Sequence, residues 1–363
     1  MNNQKRVLFT VLFLTSIVMG SGMRINALGG NAGFWPDDDQ NIYLFPATLN
    51  NFQLAQVDGV TEDGVGNAVF LFGDKTKYGF MLDGSGDDMI NMAWGNGKLG
   101  ALLSFDLNSG DIVGISISDP DTSGVSDTTT AIFASGNMSL GVNVGLNQSF
   151  GELGIVFGMS SDDGVSTAST DDESGMIIGL NLRRAQSLWV FESMLVNFSM
   201  VTGSAGDATS SDIGLSLDLF NHWTLTENTD LLFALGFGFS SGSDDNGISG
   251  DGNVVSTTTT ITFPRSTFAV ETSITDWATA RVGVVNSHTL SDAADDGAGN
   301  DGSKTSSMGG SDFGAVFGLG FNYGGFTLDM DLNPGFYTNP VNYITGFNVS
   351  NSLGSTASIT YTW

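Results

Sequence analysis

The chain has no cysteine. Disulfides, thiolate-bound zinc, iron–sulfur clusters and a thiol nucleophile are all excluded by that single absence. So is the lipoprotein route to a membrane, because acylation after a leader needs a cysteine. Beyond the first two dozen residues no run of about 18 consecutive apolar residues occurs, which excludes helical membrane spans. Positive charge is scarce, with 11 Lys+Arg against 39 Asp+Glu. A chain so poor in cations cannot displace counterions from phosphates, so nucleic acid is excluded as a partner. Only His222 and His288 are available as general bases near neutral pH. Neither sits in a recognisable nucleophile motif, and no Gly-rich phosphate loop or metal-binding histidine pair is present. The expectation is a protein that is not an enzyme and carries neither cofactor nor bound metal.

What is present begins with a leader. Lys5 and Arg6 precede an apolar run from Val7 to Met19, and Gly20, Ser21 and Gly22 follow. A positive start, an apolar stretch of this length and a small-residue exit read as a cleaved secretory signal peptide over residues 1–22. Its removal takes two cations, leaving nine against the 39 acids. The acids are mostly Asp in Gly/Ser/Thr-rich stretches, which reads as hydrated loops.

The body of the chain combines 50 Gly and 26 Phe with only six Pro. Glycine and aromatics at this frequency suit strands and turns rather than helices. Strict alternation over about ten residues, the length of a tilted strand crossing a bilayer, recurs along it. At 138–148, Met138, Leu140, Val142, Val144 and Leu146 oppose Ser139, Gly141, Asn143, Gly145 and Asn147. The pattern returns at 213–220, 231–240 and 313–323, and also at 98–107, 151–160, 174–183, 194–201, 266–275, 326–333 and 357–363. Less regular candidates lie at 52–60, 67–73, 77–83 and 88–95.

A soluble β-sandwich alternates too. Three features argue for a membrane barrel instead. The small face is rich in Gly, Ser and Asn, as a crowded or watery interior requires. Short connections, near 95–97, 148–150, 184–187, 223–226 and 324–325, alternate with long acidic ones near 108–130, 161–173, 202–211, 241–254 and 290–311. Trp94, Trp189, Trp223 and Trp277 lie beside short connections and Trp363 ends the chain, so all five gather at one interface. The fold class is all-β: a transmembrane antiparallel up-and-down barrel of about 14 strands, within a range of 12–16. The address is the outer membrane of a Gram-negative bacterium.

The stretch Ala27-Leu28-Gly29-Gly30-Asn31-Ala32-Gly33, then Asp37-Asp38-Asp39, then Asn41-Ile42-Tyr43-Leu44-Phe45-Pro46-Ala47-Thr48-Leu49 resembles the start of barrels in the long-chain fatty-acid transporter superfamily and related type IX secretion barrels. Phe45 stands where that family has the Asn of an Asn-Pro-Ala motif. The resemblance implies a hatch inside a barrel of 14 strands, which would make residues 23–51 a plug-like segment and 52–363 the barrel. It also implies hydrophobic solutes, with Asp37, Asp38, Asp39, Phe45, Pro46 and Ala47 in the moving part. The terminal alternation Ile359-Tyr361-Trp363 looks like the aromatic signal read by the barrel-assembly machinery.

Charges on a lipid face cost a few kcal/mol near the midplane. Asp106, Arg183, Asp218, Glu271, Arg281, Asp329 and Asp331 are therefore expected in the lumen, as an ionic network or a cation-preferring lining. Glu192 is in register with the lipid-facing row and needs a bulge or an interfacial position. The clusters Asp83–Asp88, Asp244–Gly247 and Asp292–Asp301 carry the oxygens calcium prefers, without matching an EF-hand, so divalent cations at acidic loops remain an alternative to plain hydration. The leading functional expectation is passive passage of small molecules, hydrophobic ones among them. A non-transporting barrel for docking secreted proteins or shaping the cell surface is the second, and an outer-membrane lipid enzyme the third. Expected partners are outer-membrane lipid and the barrel-assembly machinery.

Overall fold

A computed structural model describes residues 22–60, 66–82, 90–108, 112–119, 127–134, 137–162, 172–248, 254–295, 304–307, 310–332 and 356–363. The expected leader, apart from Gly22, lies outside these residues. Sixteen antiparallel strands form the wall: β1 (Leu54–Val60), β2 (Asn67–Gly73), β3 (Lys77–Leu82), β4 (Ile90–Gly95), β5 (Leu99–Asn108), β6 (Asn137–Gln148), β7 (Gly151–Asp162), β8 (Glu173–Leu188), β9 (Phe191–Ala205), β10 (Ala208–Thr226), β11 (Thr229–Asp245), β12 (Val255–Thr275), β13 (Ala278–Asp295), β14 (Gly310–Tyr323), β15 (Phe326–Leu332) and β16 (Ala357–Thr362). Each pairs with its neighbours in sequence, and β1 closes on β16 through Leu54↔Thr362 to Val57↔Ile359. Closure leaves no open edge in the ring. A short strand, Lys304–Ser307, pairs only with the far end of β13, and a separate hairpin joins Ile112–Asp119 to Asp127–Ala134.

The strand number departs from the favoured 14. The four irregular candidates between residues 52 and 95 are all wall strands. The sixteenth, β13, was not visible as an alternating run, because Arg281, Ser287, Asn286 and His288 put polar residues on both of its faces. The connection expected as a long loop at 202–211 is a two-residue turn at Gly206–Asp207, with β9 and β10 paired up to Ala205↔Ala208.

Side-chain phase sorts the wall as the alternation requires. Phe70, Phe80, Leu103, Phe157, Ile178 and Leu215 are exposed on the outer face. Asp106, Asn143, Asn181, Arg183, Asp218 and Arg281 are buried on the inner one. At the end of the short turns, Trp189 is 88% exposed and Tyr323 87%, and Trp277 and Trp363 are also exposed. Glu192 lies outward, one residue into β9 beyond the Trp189–Val190 turn, so a strand-end position accounts for it.

The buried core lies inside the ring. Residues 22–53 form short helices, α1 (Met23–Ala27) and α2 (Asn41–Leu44), with 3-10 turns at Ala32–Phe34 and Pro46–Asn51. This segment touches β5, β6 and β7 on one side, β13, β14 and β15 on another, and β1, β8 and β10 between them. Only the lumen gives access to all of those strands at once. One apolar cluster joins Leu28, Phe34, Trp35 and Phe45 to Leu195, Phe220 and Leu232; a second joins Ile42 and Leu49 to Leu54, Val69, Leu71 and Ala93.

Glycines let this segment approach the wall. A Cβ on Gly100 or Gly145 would overlap the Pro46–Ala47 backbone, and one on Gly154 would overlap the Leu44 carbonyl. At Gly100, Gly145 and Gly154 the small face is therefore occupied space, where the chain itself comes within backbone contact.

Candidate functional site: the lumen and the segment within it

Two ionic assemblies hold the N-terminal segment. In the first, the Arg24 guanidinium donates to Glu271 Oε1 (3.0 Å) and Oε2 (2.8 Å) and also pairs with Asp38. Glu271 in turn accepts from Arg281 Nε (2.7 Å), and Arg281 Nη1 donates to Asp329 Oδ1 (2.5 Å). A chain of alternating charges thus runs from the segment through β12 and β13 to β15. Burial works against the Arg24 charge, but hydrogen bonding and attraction from Glu271 and Asp38 outweigh it and hold the guanidinium above its usual range.

In the second assembly Arg183 on β8 donates from Nε to Glu152 (2.6 Å), and from Nη1 to the Gly33 carbonyl (3.1 Å) and Asn41 Oδ1 (2.8 Å). Its guanidinium carbon lies 4.7 Å from the centroid of the Phe45 ring. His222 faces inward, with Nε2 2.6 Å from the Phe34 carbonyl and its ring edge-on to Trp35 at 4.7 Å.

Asp38 is buried and its Oδ1 accepts the Gln40 amide (2.9 Å). Asp39 accepts from Gln56 Nε2 (3.0 Å), and that amide also donates to Thr360 (2.9 Å). Burial pushes the Asp38 carboxyl up, and burial followed by the charge of Asp38 pushes Asp39 up to about 7. Asp37 is exposed and stands apart from these two. Pro46 and Ala47 are buried where the segment crosses β5 and β6.

Beyond the segment the lumen opens. A cavity of about 580 Å³ is lined by Asn181, Asn197, Ser199, Ser216, Thr262 and Arg265, among others. A second, of about 320 Å³, shares Asn197, Ser216 and Arg265 with it and has Gly29, Asn31 and Phe34 as its floor. Asp218 receives Arg265 Nη2 at 2.5 Å, across β11 at Gly236. Arg265 escaped the sequence reading because β12 changes phase at Phe263–Pro264: Gly238↔Thr262 is followed by Gly236↔Arg265. Proline cannot donate a ladder bond, and the irregularity it brings re-aims the next side chain. Arg24 was missed as well, since no alternation marks a residue outside the strands.

Asp106 is buried on β5, and Asp331 on β15 accepts the Thr356 amide (3.0 Å). Asp106, Arg183, Asp218, Glu271, Arg281, Asp329 and Asp331 divide among separate groups. Ile359, Tyr361 and Trp363 are exposed, with Tyr361 and Trp363 stacked at 5.8 Å.

Among the described residues no group of three His, Cys, Asp or Glu side chains is placed to hold a metal. In the acidic loop at 244–247, Asp245 and Asn246 accept from the Gly247, Ile248 and Val254 amides. The clusters at 83–88 and 292–301 lie outside the described side chains.

No protein-family profile matches the chain, and no curated protein matches it. Solved structures do. One is the FrpB iron transporter of Neisseria meningitidis in its apoprotein form, 11% identical, with a TM-score of 0.40 over 77% of this chain and 45% of that one. Another is the ferric-catecholate import receptor Fiu of E. coli K12 in an open form, 9% identical, with a TM-score of 0.29 over 86% of this chain and 81% of that one. The chain spans less than half the length of FrpB. Likeness at this level carries no argument about what this chain binds or passes. Neither of the two is a fatty-acid transporter.

Proposed function

We propose that this chain is an outer-membrane barrel through which small solutes pass, with residues 23–51 acting as a plug within its lumen. The observation that carries the reading is the division of one lumen into an open cavity and a segment tied to the wall by Arg24, Arg183 and His222. An apolar outer face on a closed ring, with aromatics at the short-turn end, supports the membrane address. The terminal Ile359-Tyr361-Trp363 row faces outward, as an assembly signal read at the C-terminus requires.

Amides, hydroxyls and Arg265 line the cavity together with Val156, Ile177 and Phe198, a mixed wall that fits small amphipathic solutes and leaves room for the hydrophobic ones the family resemblance implies. Single-channel conductance in planar bilayers tests the reading. The wild type is expected to be closed or weakly conducting, and a variant lacking the Arg24–Glu271 pair to conduct. Closure in both, with a partner retained through purification, favours the second reading, a docking barrel with no transport. The extent of the packing between segment and wall is what speaks for that alternative. We regard an enzyme as the poorest fit, because His222 is committed to the Phe34 carbonyl.

A further inference from the structure

The N-terminal segment is buried from its beginning. Met23 is 1% exposed, and its backbone N–H donates to the Asp58 carboxylate on β1. Around that point the carboxylates outnumber the cations: Asp38, Asp39, Asp58, Glu271 and Asp329 share two guanidiniums, Arg24 and Arg281. Buried charge of one sign is costly unless something compensates it. Burial first, and for Asp39 the charge of Asp38 after it, holds both carboxyls above their ordinary value.

A second, independent observation lies beside it. Gln40 is 4% exposed, and its Oε1 has no hydrogen-bond partner. Its side chain packs on Gly22: a Cβ added there would stand 2.6 Å from Gln40 Cγ, 3.0 Å from Cδ and 3.2 Å from Nε2. A buried acceptor without a donor is rare and asks for an explanation. A positively charged proton donor beside residue 22 would answer both the acceptor and the excess of carboxylates.

We propose that Asp58 and Gln40 form a receptor for the α-ammonium of the mature chain, created when the leader is cut between Gly22 and Met23. Hydrolysis of that peptide bond by the export peptidase adds one water: Gly22 leaves with a carboxylate, and the Met23 nitrogen becomes an ammonium without changing place. Gly20 and Gly22 give this bond small residues at both positions a signal peptidase reads. The new cation has three N–H donors where the amide had one. One remains on Asp58, and the others are available to Gln40 Oε1 and the neighbouring carboxylates. The change costs the Asn26 N–H its bond to the Gly22 carbonyl (3.0 Å), a neutral bond exchanged for charge-assisted ones. Processing and plug docking are then linked, because the barrel's charge balance is completed by cleavage.

The inference rests on the export part of the proposed function, and one experiment separates the two. Protein extracted from membranes in detergent is analysed by intact mass and N-terminal sequencing, then reductively methylated with ¹³C-formaldehyde. The ¹³C-labelled α-amine is titrated by NMR. The expected N-terminus is Met23, with an α-amine pKa above the usual ~7.7–8.0 and methylation at least about tenfold slower than in the urea-unfolded chain, a difference of ~1.4 kcal/mol in protection. Asp58→Asn should bring the pKa down and speed labelling while leaving the cleavage site unchanged. A leader cut at Gly22 with an amine that reacts as fast as in the unfolded chain overturns the ammonium receptor and leaves export standing. A retained leader, or a mature chain beginning elsewhere, overturns the inference itself, and the wild-type measurement decides this even if Asp58→Asn fails to fold.

Discussion

Arg24 and Glu271 lie 247 positions apart in the chain, yet Arg24 donates two hydrogen bonds to the Glu271 carboxylate. The pair is the direct electrostatic fastening of the first helix to the wall, and Arg281 and Asp329 extend it along β13 and β15. Removing one partner strands the other at a partly buried position. Hydrogen bonds to charged groups contribute about 1.5–3 kcal/mol. Glu271→Gln should therefore raise the population of the undocked segment by roughly one to two orders of magnitude. Trypsin cleavage after Arg24, compared between wild type and variant under conditions where the barrel still shows its heat-dependent gel shift, measures it. Equal cleavage rates would remove the pair from any gating role.

The close crossing at Gly100, Gly145 and Gly154 leads to a steric prediction. Gly154→Val places atoms on the Leu44 carbonyl, and Gly100→Val places them on Pro46. Backbone cannot yield as a flexible side chain does, so the segment must shift or leave. Both variants should conduct more than wild type in planar bilayers while keeping their strand content by circular dichroism. A matched valine at the outer-face position Ile155 should do nothing.

Docking should weaken as pH rises. Asp39 has its carboxyl raised from 3.8 to about 7, first by burial and then by Asp38, and Asp38 is raised too. A folded-state pKa above the unfolded one means that the docked form holds more protons between those values. Its stability is greatest below about pH 4, declines through the window up to about 7, and is flat above it. Segment release, read by the same trypsin assay at pH 5 and pH 8 after correction for protease activity, should be faster at pH 8. Asp39→Asn should flatten the difference.

Charge selectivity should follow the Asp218–Arg265 pair. Asp218 is 2% exposed, whereas the Arg265 side chain is 36% exposed to the cavity. Asp218→Asn leaves the guanidinium as an uncompensated cation in the wall. In a salt gradient, the reversal potential of an opened variant should move toward anion preference, and Arg265→Gln should move it the other way. The Asp218 change should also destabilise the barrel by about 1–3 kcal/mol, because a buried partner is lost.

The family resemblance in residues 27–49 located the segment inside the barrel as a resemblance only, and its contacts came from elsewhere. Asp38 and Asp39 were legible as functional acids, but their cation, Arg24, was not, because no strand period passes through it. Phe45 departs from the family's Asn, and its ring lies against Arg183.

Period-two alternation is a local property, set by the geometry of a single extended chain. That is why residues such as Met138 to Gln148 by themselves determine that the chain is strand and which side chains share a face. Strand number and partners are relations between segments, settled only when register is chosen across the whole ring. Sixteen strands rather than 14, the phase change at Pro264 that brings Arg265 to Asp218, and the charge chain from Asp38 to Asp329 were decided there, because those contacts join residues up to hundreds of positions apart and none leaves a local period to read.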